Sequence, residues 1–363
     1  MKTRIILVGG FLGAGKTTLL GASAQKLFAQ GKRVGLITND QASGLVDTAV
    51  LERINTHVAE VSGSCFCCNF NGFMEAILNL QATNNIDVII AEPVGSCTDL
   101  SATIMQPLKE KFHDTLVLSP LSVLVDPKRL EAILDGKTSG LHESAAYILQ
   151  KQLDEADMIV INKTDLLSAE ALESLKSRAG KRWAFAKIFA LSAKNGEDLE
   201  EWLREVTSRA DAGGRITEVD YDVYAKGEAV LGWLNTTMTL QGALVDWDAL
   251  AKEILTKLSK RFDGLNLAVG HVKLLLETDK ASVVGNVTST CESLEMRGSA
   301  GSGNHAKMTL NARVETTPEN LECIVSEILS EVCGSEVTQN IETSKCLQPG
   351  RPNPTYRYSK VVK

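Results

Sequence analysis

Three cysteines, Cys65, Cys67 and Cys68, stand within four positions in the stretch SGSCFCCNFN, in a chain with eight cysteines in all. A disulfide framework joins distant segments, and thiols this close have almost no loop to close between them. The chemistries that use such a cluster are metal binding and redox exchange. Thiolates are soft, strongly donating ligands that suit Zn²⁺, Cu(I) and related ions, with Zn–S distances of ~2.3 Å. Three of them leave a tetrahedral ion one position short, open to a water, a carboxylate or a receiving protein's ligand, which suits transfer better than storage. A Cys65–Cys68 disulfide used as a switch is the redox alternative, and purely structural thiols are a third. Cys97 is either a fourth ligand or a buried apolar side chain.

A second chemistry begins at Gly10-Phe11-Leu12-Gly13-Ala14-Gly15-Lys16-Thr17, which fits GxxxxGK[ST] at every fixed position. The glycines let main-chain N–H groups from Gly10 through Gly13, Ala14 and Gly15 to Lys16, Thr17 and Thr18 converge on phosphate oxygens. The start of the following helix favours negative charge, Lys16 reaches the outer phosphates, and Thr17 ligates Mg²⁺.

The base is specified further on by Asn162-Lys163-Thr164-Asp165, an NKxD pattern. The Asp165 carboxylate can accept hydrogen bonds from guanine N1 and N2, for which adenine has no matching donor pair, and sites built on such bonds discriminate by about 10⁴. Ser192-Ala193-Lys194 resembles the SAK element whose main chain contacts the guanine oxygen in GTPases. Acids that can serve Mg²⁺ or the attacking water stand at two strand ends, Asp40 in Asn39-Asp40 and Glu92 in Glu92-Pro93-Val94-Gly95, with Asp47 a weaker candidate.

Positioning these groups requires strands that end at one edge. Arg4 to Val8, Val34 to Thr38, Asp87 to Ala91, Asp157 to Ile161 and Ile188 to Leu191 are short apolar runs, and Leu20, Ala24, Leu27 and Phe28 recur at helical spacing behind the phosphate loop. The order predicts an α/β fold, a P-loop NTPase with a doubly wound, mainly parallel sheet, carrying its ligands at the carboxyl ends of the strands. The cysteine loop is expected beside the phosphate site, because it lies between the strands that deliver Asp40 and Glu92.

Residues 1–210 form this first domain, closed by a helix with the apolar stripe Leu199, Trp202, Leu203 and Val206, and 211–220 is a linker around Gly213-Gly214. A second, smaller α+β domain is expected over 221–345. Its elements are a strand over Ala229 to Leu240, a helix over Trp247 to Arg261, strands over Leu267 to Glu277, Ser282 to Ser289 and Lys307 to Glu315, and a helix over Pro318 to Val332. Thr317-Pro318 is good chemistry for that helix start. Arg297 to His305, RGSAGSGNH, is expected to be a flexible Gly/Ser loop. His271 falls in a strand; Cys291, Cys323, Cys333 and Cys346 show no ligand spacing, and Cys323 and Cys333 fall on a helical pattern where core burial is expected. Residues 346–363 are a Pro-containing tail, in which Gln348-Pro349-Gly350-Arg351-Pro352-Asn353-Pro354 cannot be regular structure; it is either a plain tail or a segment that docks a partner.

Whole-chain composition narrows the function. At 363 residues, with 44% hydrophobic and 23% charged residues, the chain is an ordinary two-domain globular protein. A net charge of -7 provides no broad attraction to nucleic acid or anionic membranes. The apolar stretch Ile5 to Ala14 is explained by the phosphate loop rather than by export, and no run approaches the ~20 residues a membrane helix needs. Reducing cytoplasm is the expected compartment.

GGFLGAGKTTLL, the CxCC cluster, ExxG at Glu92 to Gly95 and NKTD together resemble the CobW-type GTPases, grouped with HypB-like and UreG-like metal-delivery proteins, over roughly residues 1–210. The resemblance implies a metallochaperone or metal insertase that binds GTP or GDP with Mg²⁺ and holds a transition metal at Cys65, Cys67 and Cys68. Zn is the leading metal, with Co or Ni as alternatives. It implies that hydrolysis, served by Lys16, Asp40 and Glu92 with Thr17 and Glu92 on Mg²⁺, is coupled to transfer to a client metalloprotein or metallocofactor-assembly protein. A nucleotide-dependent homodimer is also implied. This sequence departs from the family pattern in three ways: Ser64 separates Gly63 from Cys65, Asp40 stands where Glu is common, and five isolated histidines make no metal-storage tract. The rival class is a regulatory or assembly GTPase whose cysteines are structural or redox-active. A phosphotransferase is disfavoured by NKTD.

Overall fold

The computed structural model describes residues 2–40, 45–53, 57–138, 140–288 and 294–363. Gln41 to Gly44 of the loop after Asp40, and Cys291, lie outside the described residues. The chain divides into two compact units, one of Met1–Gln41, Leu51–Gly227 and Arg351–Lys363, the other of Ala42–Val50 and Glu228–Gly350.

Strand and helix alternate through the first two hundred residues: β1 (Thr3–Gly10), α1 (Lys16–Ala29), β2 (Val34–Asn39), α2 (Val46–Glu52), β3 (His57–Val61), α3 (Phe70–Asn84) and β4 (Val88–Ala91). A π-helical turn, Ser101–Met105, leads into α4 (Gln106–Phe112), followed by β5 (Leu116–Leu118), β6 (Ser122–Val125), α5 (Pro127–Leu134), α6 (Glu143–Glu155), β7 (Met158–Ile161), α7 (Ala169–Arg182), β8 (Lys187–Ala190), α8 (Leu199–Ser208) and α9 (Tyr221–Ala229). The sheet order is β3-β2-β4-β1-β6-β7-β8 with β5 beside β1, and the described pairings are parallel. Parallel strands joined by crossover helices are covered on both faces, which is why Ile5, Ile6, Leu7 and Val8 run as one uninterrupted buried stretch. The chain steps to opposite sides of β1 from this point, so the loop after β1 opens at a topological switch point. This is the expected doubly wound fold. The stripe Leu199, Trp202, Leu203 and Val206 is buried on α8, and Trp202 Nε1 donates to Ser122 Oγ at 3.0 Å.

The second unit is a separate antiparallel sheet with helices. Its elements are β9 (Leu231–Asp246), α10 (Trp247–Gly264), β10 (Val269–Glu277), β11 (Ser282–Val287), β12 (Glu295–Ser299), β13 (Ser302–Glu315), α11 (Pro318–Cys333) and β14 (Thr338–Leu347), in sheet order β12-β11-β10-β13-β9-β14. Trp247, Ile254, Leu258 and Phe262 of α10 and Leu321, Ile324 and Ile328 of α11 share one core with Leu274, Met308 and Leu310 of the strands. Asp246 and Thr317 cap the two helices by accepting from the N–H groups of Ala249 and Asn320.

Three expectations for this unit are corrected. RGSAGSGNH is largely strand: β12 pairs with β11 through Arg297 opposite Val284, and β13 begins two residues after Ala300. Gly298 serves close backbone approach, since a Cβ there would stand 2.5 Å from the Ser282 carbonyl oxygen. β14 adds an unforeseen strand, because TQNIETSKCL is mostly exposed at the sheet edge and shows no apolar alternation. Cys333 is buried as expected, but Cys323 is exposed; it falls beside the buried stripe of α11, with its thiol 3.4 Å from Glu327 Oε1. Among the described residues, no helix is long and apolar enough to cross a membrane.

Candidate nucleotide and metal site

The phosphate loop is shaped by contacts that leave no room for larger residues. Gly10 (φ 130°) and Gly15 (φ 94°) occupy the left-handed side of backbone space, and a Cβ on either would stand 2.3 Å from Leu124 O or Asn162 Nδ2. Gly15 is the residue before α1; no side chain caps that helix and its first turn has no acid, so its leading N–H groups are not claimed by a cap. Arg129 of α5 donates to the carbonyl of Leu12, lies 3.6 Å from Asp126 and stacks over Phe11. Sequence reasoning missed Arg129, because a lone arginine after a strand has no motif.

Asn162 ties the base-side elements to this loop. Its Nδ2 donates to Ala14 O at 2.9 Å, and its Oδ1 accepts from the Ala193 N–H at 3.0 Å, so one side chain bridges the phosphate loop and Ser192-Ala193-Lys194. Lys163 adopts a left-handed conformation at φ 59°, and Asp165 Oδ1 accepts from Ser192 Oγ at 2.6 Å. Lys194 is exposed beyond them. The two motifs therefore meet at the ends of β7 and β8 next to the loop after β1.

Glu92, at the end of β4, reaches the same place. Its Oε1 lies 3.6 Å from Lys16 Nζ and its Oε2 accepts from Thr17 Oγ1 at 3.1 Å. Thr18 follows on α1. Asp40 stands at the end of neighbouring β2, buried, its N–H donating to Val61 O at 3.2 Å. Asp47 belongs to the second unit, where Lys273 Nζ lies 2.6 Å from both of its carboxylate oxygens. His271 is in that unit too, buried on β10.

The cysteine loop is held by Asn39 at the end of β2. Its Nδ2 donates to Val61 O at 2.8 Å and to Ser64 O at 2.9 Å, and its Oδ1 accepts from the Phe66 N–H at 2.8 Å. The chain then turns tightly, the N–H groups of Cys68 and Asn69 both donating to Cys65 O, before Asn69 caps α3 by accepting from Gly72 N–H. Phe66 stacks on Phe73 of α3 with ring centroids 4.2 Å apart, which drives this bend from below. β3 and the clasp by Asn39 were not foreseen, since HVAEV is a short edge strand.

The result is a converging set of thiols. Cys65 and Cys67 Sγ are 3.1 Å apart, Cys67 and Cys68 Sγ 3.8 Å, and all three lie within 4.8 Å of one another. Three thiolates around one tetrahedral Zn²⁺ at ~2.3 Å would be about 3.8 Å apart, so the donor set fits such an ion with small adjustments. Cys65 is held well below the usual thiol range, chiefly by a hydrogen bond with the Cys67 thiol, with Cys68 and Cys97 adding to it. Its neighbours are pushed the other way by their interaction with Cys65, Cys68 up to about 11. The three thiols are thus pushed apart in their titration, and a metal bound by all three as thiolates displaces their protons. Cys97 is buried within hydrogen-bonding reach of Cys65, and its carbonyl accepts from Gln152 Nε2 at 2.7 Å.

Both sites share the segment after β4. Glu92 faces Lys16 and Thr17, a Cβ on Gly95 would stand 3.1 Å from Lys16 Nζ, and Cys97 faces the thiols.

A phosphate loop at the switch point of a doubly wound sheet, with three thiols that could hold a metal ion on the loop after β3, defines a P-loop nucleotide-binding fold. The family model for the CobW/HypB/UreG nucleotide-binding domain matches residues 4–189, just over half of the chain, and the chain belongs to that family. It is similar to the zinc chaperone CobW of Sinorhizobium sp, 30% identical over an alignment of 222 residues that covers 54% of this chain and 60% of the relative. It is also similar to the zinc-regulated GTPase metalloprotein activator 1 of Schizosaccharomyces pombe, 26% identical over 207 residues, 55% of this chain and 48% of the relative. The zinc chaperone YjiA of Escherichia coli is 27% identical over 240 residues, 60% of this chain and 72% of the relative. The first two matches thus span less than two thirds of the relatives' own length.

Proposed function

We propose that this protein is a GTP-hydrolysing metallochaperone that holds one transition-metal ion, Zn²⁺ first among them, at Cys65, Cys67 and Cys68 and couples hydrolysis to its transfer to a client metalloprotein or metallocofactor-assembly protein. The observation that carries the proposal is the convergence of three thiols within 4.8 Å on a loop clasped by Asn39, at the end of the strand next to Glu92. Three relatives whose names include zinc support the choice of ion.

In this proposal the phosphates lie on the N–H groups from Gly10 to Thr18, Lys16 neutralises their charge, and Asp165 reads guanine while Asn162, Lys163, Ser192, Ala193 and Lys194 shape the base pocket. Thr17 Oγ1 and Glu92 fit a Mg²⁺ site, a hydroxyl and a carboxylate oxygen 3.1 Å apart. When bound, Mg²⁺ screens phosphate charge. Asp40 or Glu92 orients the attacking water. Metal transfer follows from the open fourth position of a three-thiolate site, into which a client ligand can enter before the chain's own thiols leave. A nucleotide-dependent homodimer and a cytoplasmic location are part of the proposal.

The test is metal stoichiometry under reducing, anaerobic conditions together with GTP turnover. One tightly held Zn²⁺ per chain, lost in the Cys67→Ala, Cys68→Ala variant, supports the proposal. A chain that hydrolyses GTP but holds no tight metal in any nucleotide state is instead a partner-binding switch with structural or redox-active thiols.

A further inference from the structure

The C-terminal residues have no regular structure, yet they are not a loose tail. Arg351–Lys363 belong to the first unit, and they run across the cysteine loop before following α4. The Thr355 N–H donates to Cys67 O at 2.8 Å, and Thr355 Oγ1 donates to Cys68 O at 3.1 Å. The Asn353 N–H donates to the Cys68 sulfur itself at 3.2 Å. Tyr356 sets its ring edge-on to Phe70, the first residue of α3, at 5.2 Å, with Lys111 Nζ 4.8 Å from its centroid. Farther on, Tyr358 N–H donates to Ala102 O and Val362 N–H to Gln106 Oε1.

The anchor of this crossing is electrostatic. Arg357 Nε donates to Asp99 Oδ2 at 2.6 Å, and Tyr221 OH donates to the same oxygen at 2.9 Å. The Asp99 side chain is 1% exposed, so it is a buried carboxylate whose cationic partner comes from the C-terminal segment. Detaching the segment would strand that charge, which is far more costly than losing a surface ion pair. Asp99 lies two residues beyond Cys97, so the anchor and the thiols sit on one stretch of chain.

We infer that residues 353–358 are a built-in strap of the thiol site: the Asn353 amide serves as a hydrogen-bond donor to the Cys68 sulfur, Thr355 fixes the main chain of the ligand loop, and the Arg357–Asp99 pair holds the strap shut. Cys68 is the half-buried thiol of the three, with Cys65 and Cys67 buried, and the strap covers its side of the cluster. A bound ion is retained while the strap is docked and reaches a client when it lifts. Donors to ligating sulfur also stabilise thiolate character, and partners of this kind change metal affinity by roughly 10- to 100-fold. The inference rests on the metal proposal for its cargo but not for the docking itself.

The experiment uses the whole chain with Asn353→Pro, which deletes the amide that donates to the Cys68 sulfur, with Arg357→Gln, which removes the anchor, and with Lys360→Ala as a control. In the metal-free reduced protein, the rate of Cys68 alkylation by iodoacetamide is followed by peptide mass spectrometry. In Zn²⁺-loaded protein, the rate of Zn²⁺ release to a chromophoric chelator is followed. Guanine nucleotide affinity reports that the first unit remains folded. Zn²⁺ release should rise about tenfold or more in both Asn353→Pro and Arg357→Gln, and Cys68 alkylation should rise likewise in Arg357→Gln, which lifts the cover and keeps the Asn353 amide, with nucleotide affinity unchanged and Lys360→Ala like the parent. Alkylation and release rates equal to the parent's in both variants would overturn the strap. If alkylation responds but the parent holds no Zn²⁺, the strap stands as a cover of the thiols and it is the metal proposal that fails.

Discussion

Lys16 Nζ lies 3.6 Å from Glu92 Oε1, while Thr17 Oγ1 donates to Glu92 Oε2 at 3.1 Å, so the start of α1 and the residue after β4 hold one another. In the proposed function, engaging phosphate and Mg²⁺ would redistribute these contacts, and the chain that carries Glu92 leads within five residues to Cys97. Glu92→Gln keeps the shape and hydrogen-bonding atoms but removes the charge. GTP turnover should fall by about 100-fold while GTP affinity stays within a few-fold, the pattern for a group acting in the chemical step. Steady-state hydrolysis with parallel nucleotide titration checks this, and an unchanged rate would remove Glu92 from catalysis.

Asp165 should decide the base. Ser192 Oγ donates to its Oδ1 at 2.6 Å and orients the carboxylate. Asp165→Asn should abolish the preference for guanine over xanthine nucleotides, a preference that reaches about 10⁴ in sites built on such hydrogen bonds. Competition between GTP and XTP reports it directly. An unchanged GTP affinity would put the base elsewhere.

Asn39 should matter to the thiols more than to the nucleotide. Asn39→Ala removes its three hydrogen bonds to the main chain of Val61, Ser64 and Phe66; Val61 O keeps the Asp40 N–H, so two main-chain groups lose this partner, at about 1 kcal/mol or more each. A loss of about 2–3 kcal/mol in denaturant unfolding is expected, along with weaker Zn²⁺ binding. A variant with parent-like stability and metal affinity would show that the loop is held by other contacts.

Glu155 gives the fold a pH dependence. Fully buried, it accepts from Thr98 Oγ1 and the Ser101 N–H, and burial first, then the nearby Asp99, pushes it up from the ordinary 4.5 to about 8. Between those values the unfolded chain has released a proton that folded Glu155 still holds. Stability should therefore fall as pH rises through that window, by at most about 1.4 kcal/mol per pH unit. Glu155→Gln should flatten the slope, and an equal slope in both proteins would assign it to other groups.

Much of the first unit is legible because its strands are buried on both faces and read as apolar runs ending in motif residues. GAGKT, NKTD and SAK are recognisable by their spacing, whereas the hydrogen bonds by which Asn162 joins Ala14 to Ala193 appear only in the structure. What escaped has a common physical cause. Asn39, Arg129, Asn353 and Thr355 act through main-chain partners distant in sequence, and a main-chain acceptor has no signature. The strand at Thr338–Leu347 is an exposed edge without alternation, and Gly298 was read as flexibility where it serves close packing.

The central claim is that the thiol cluster carries a metal whose affinity is set by the nucleotide. The direct measurement is competition for Zn²⁺ against a chromophoric chelator, with reduced, anaerobic protein in GDP·Mg²⁺ and in a non-hydrolysable GTP analogue with Mg²⁺, beside the Cys67→Ala, Cys68→Ala variant. The account predicts tight binding of one ion that is lost in the variant and differs between the two nucleotide states by about 5-fold or more, the size of an ordinary coupling between sites. Weak binding, indifferent to both the cysteines and the nucleotide, would contradict it.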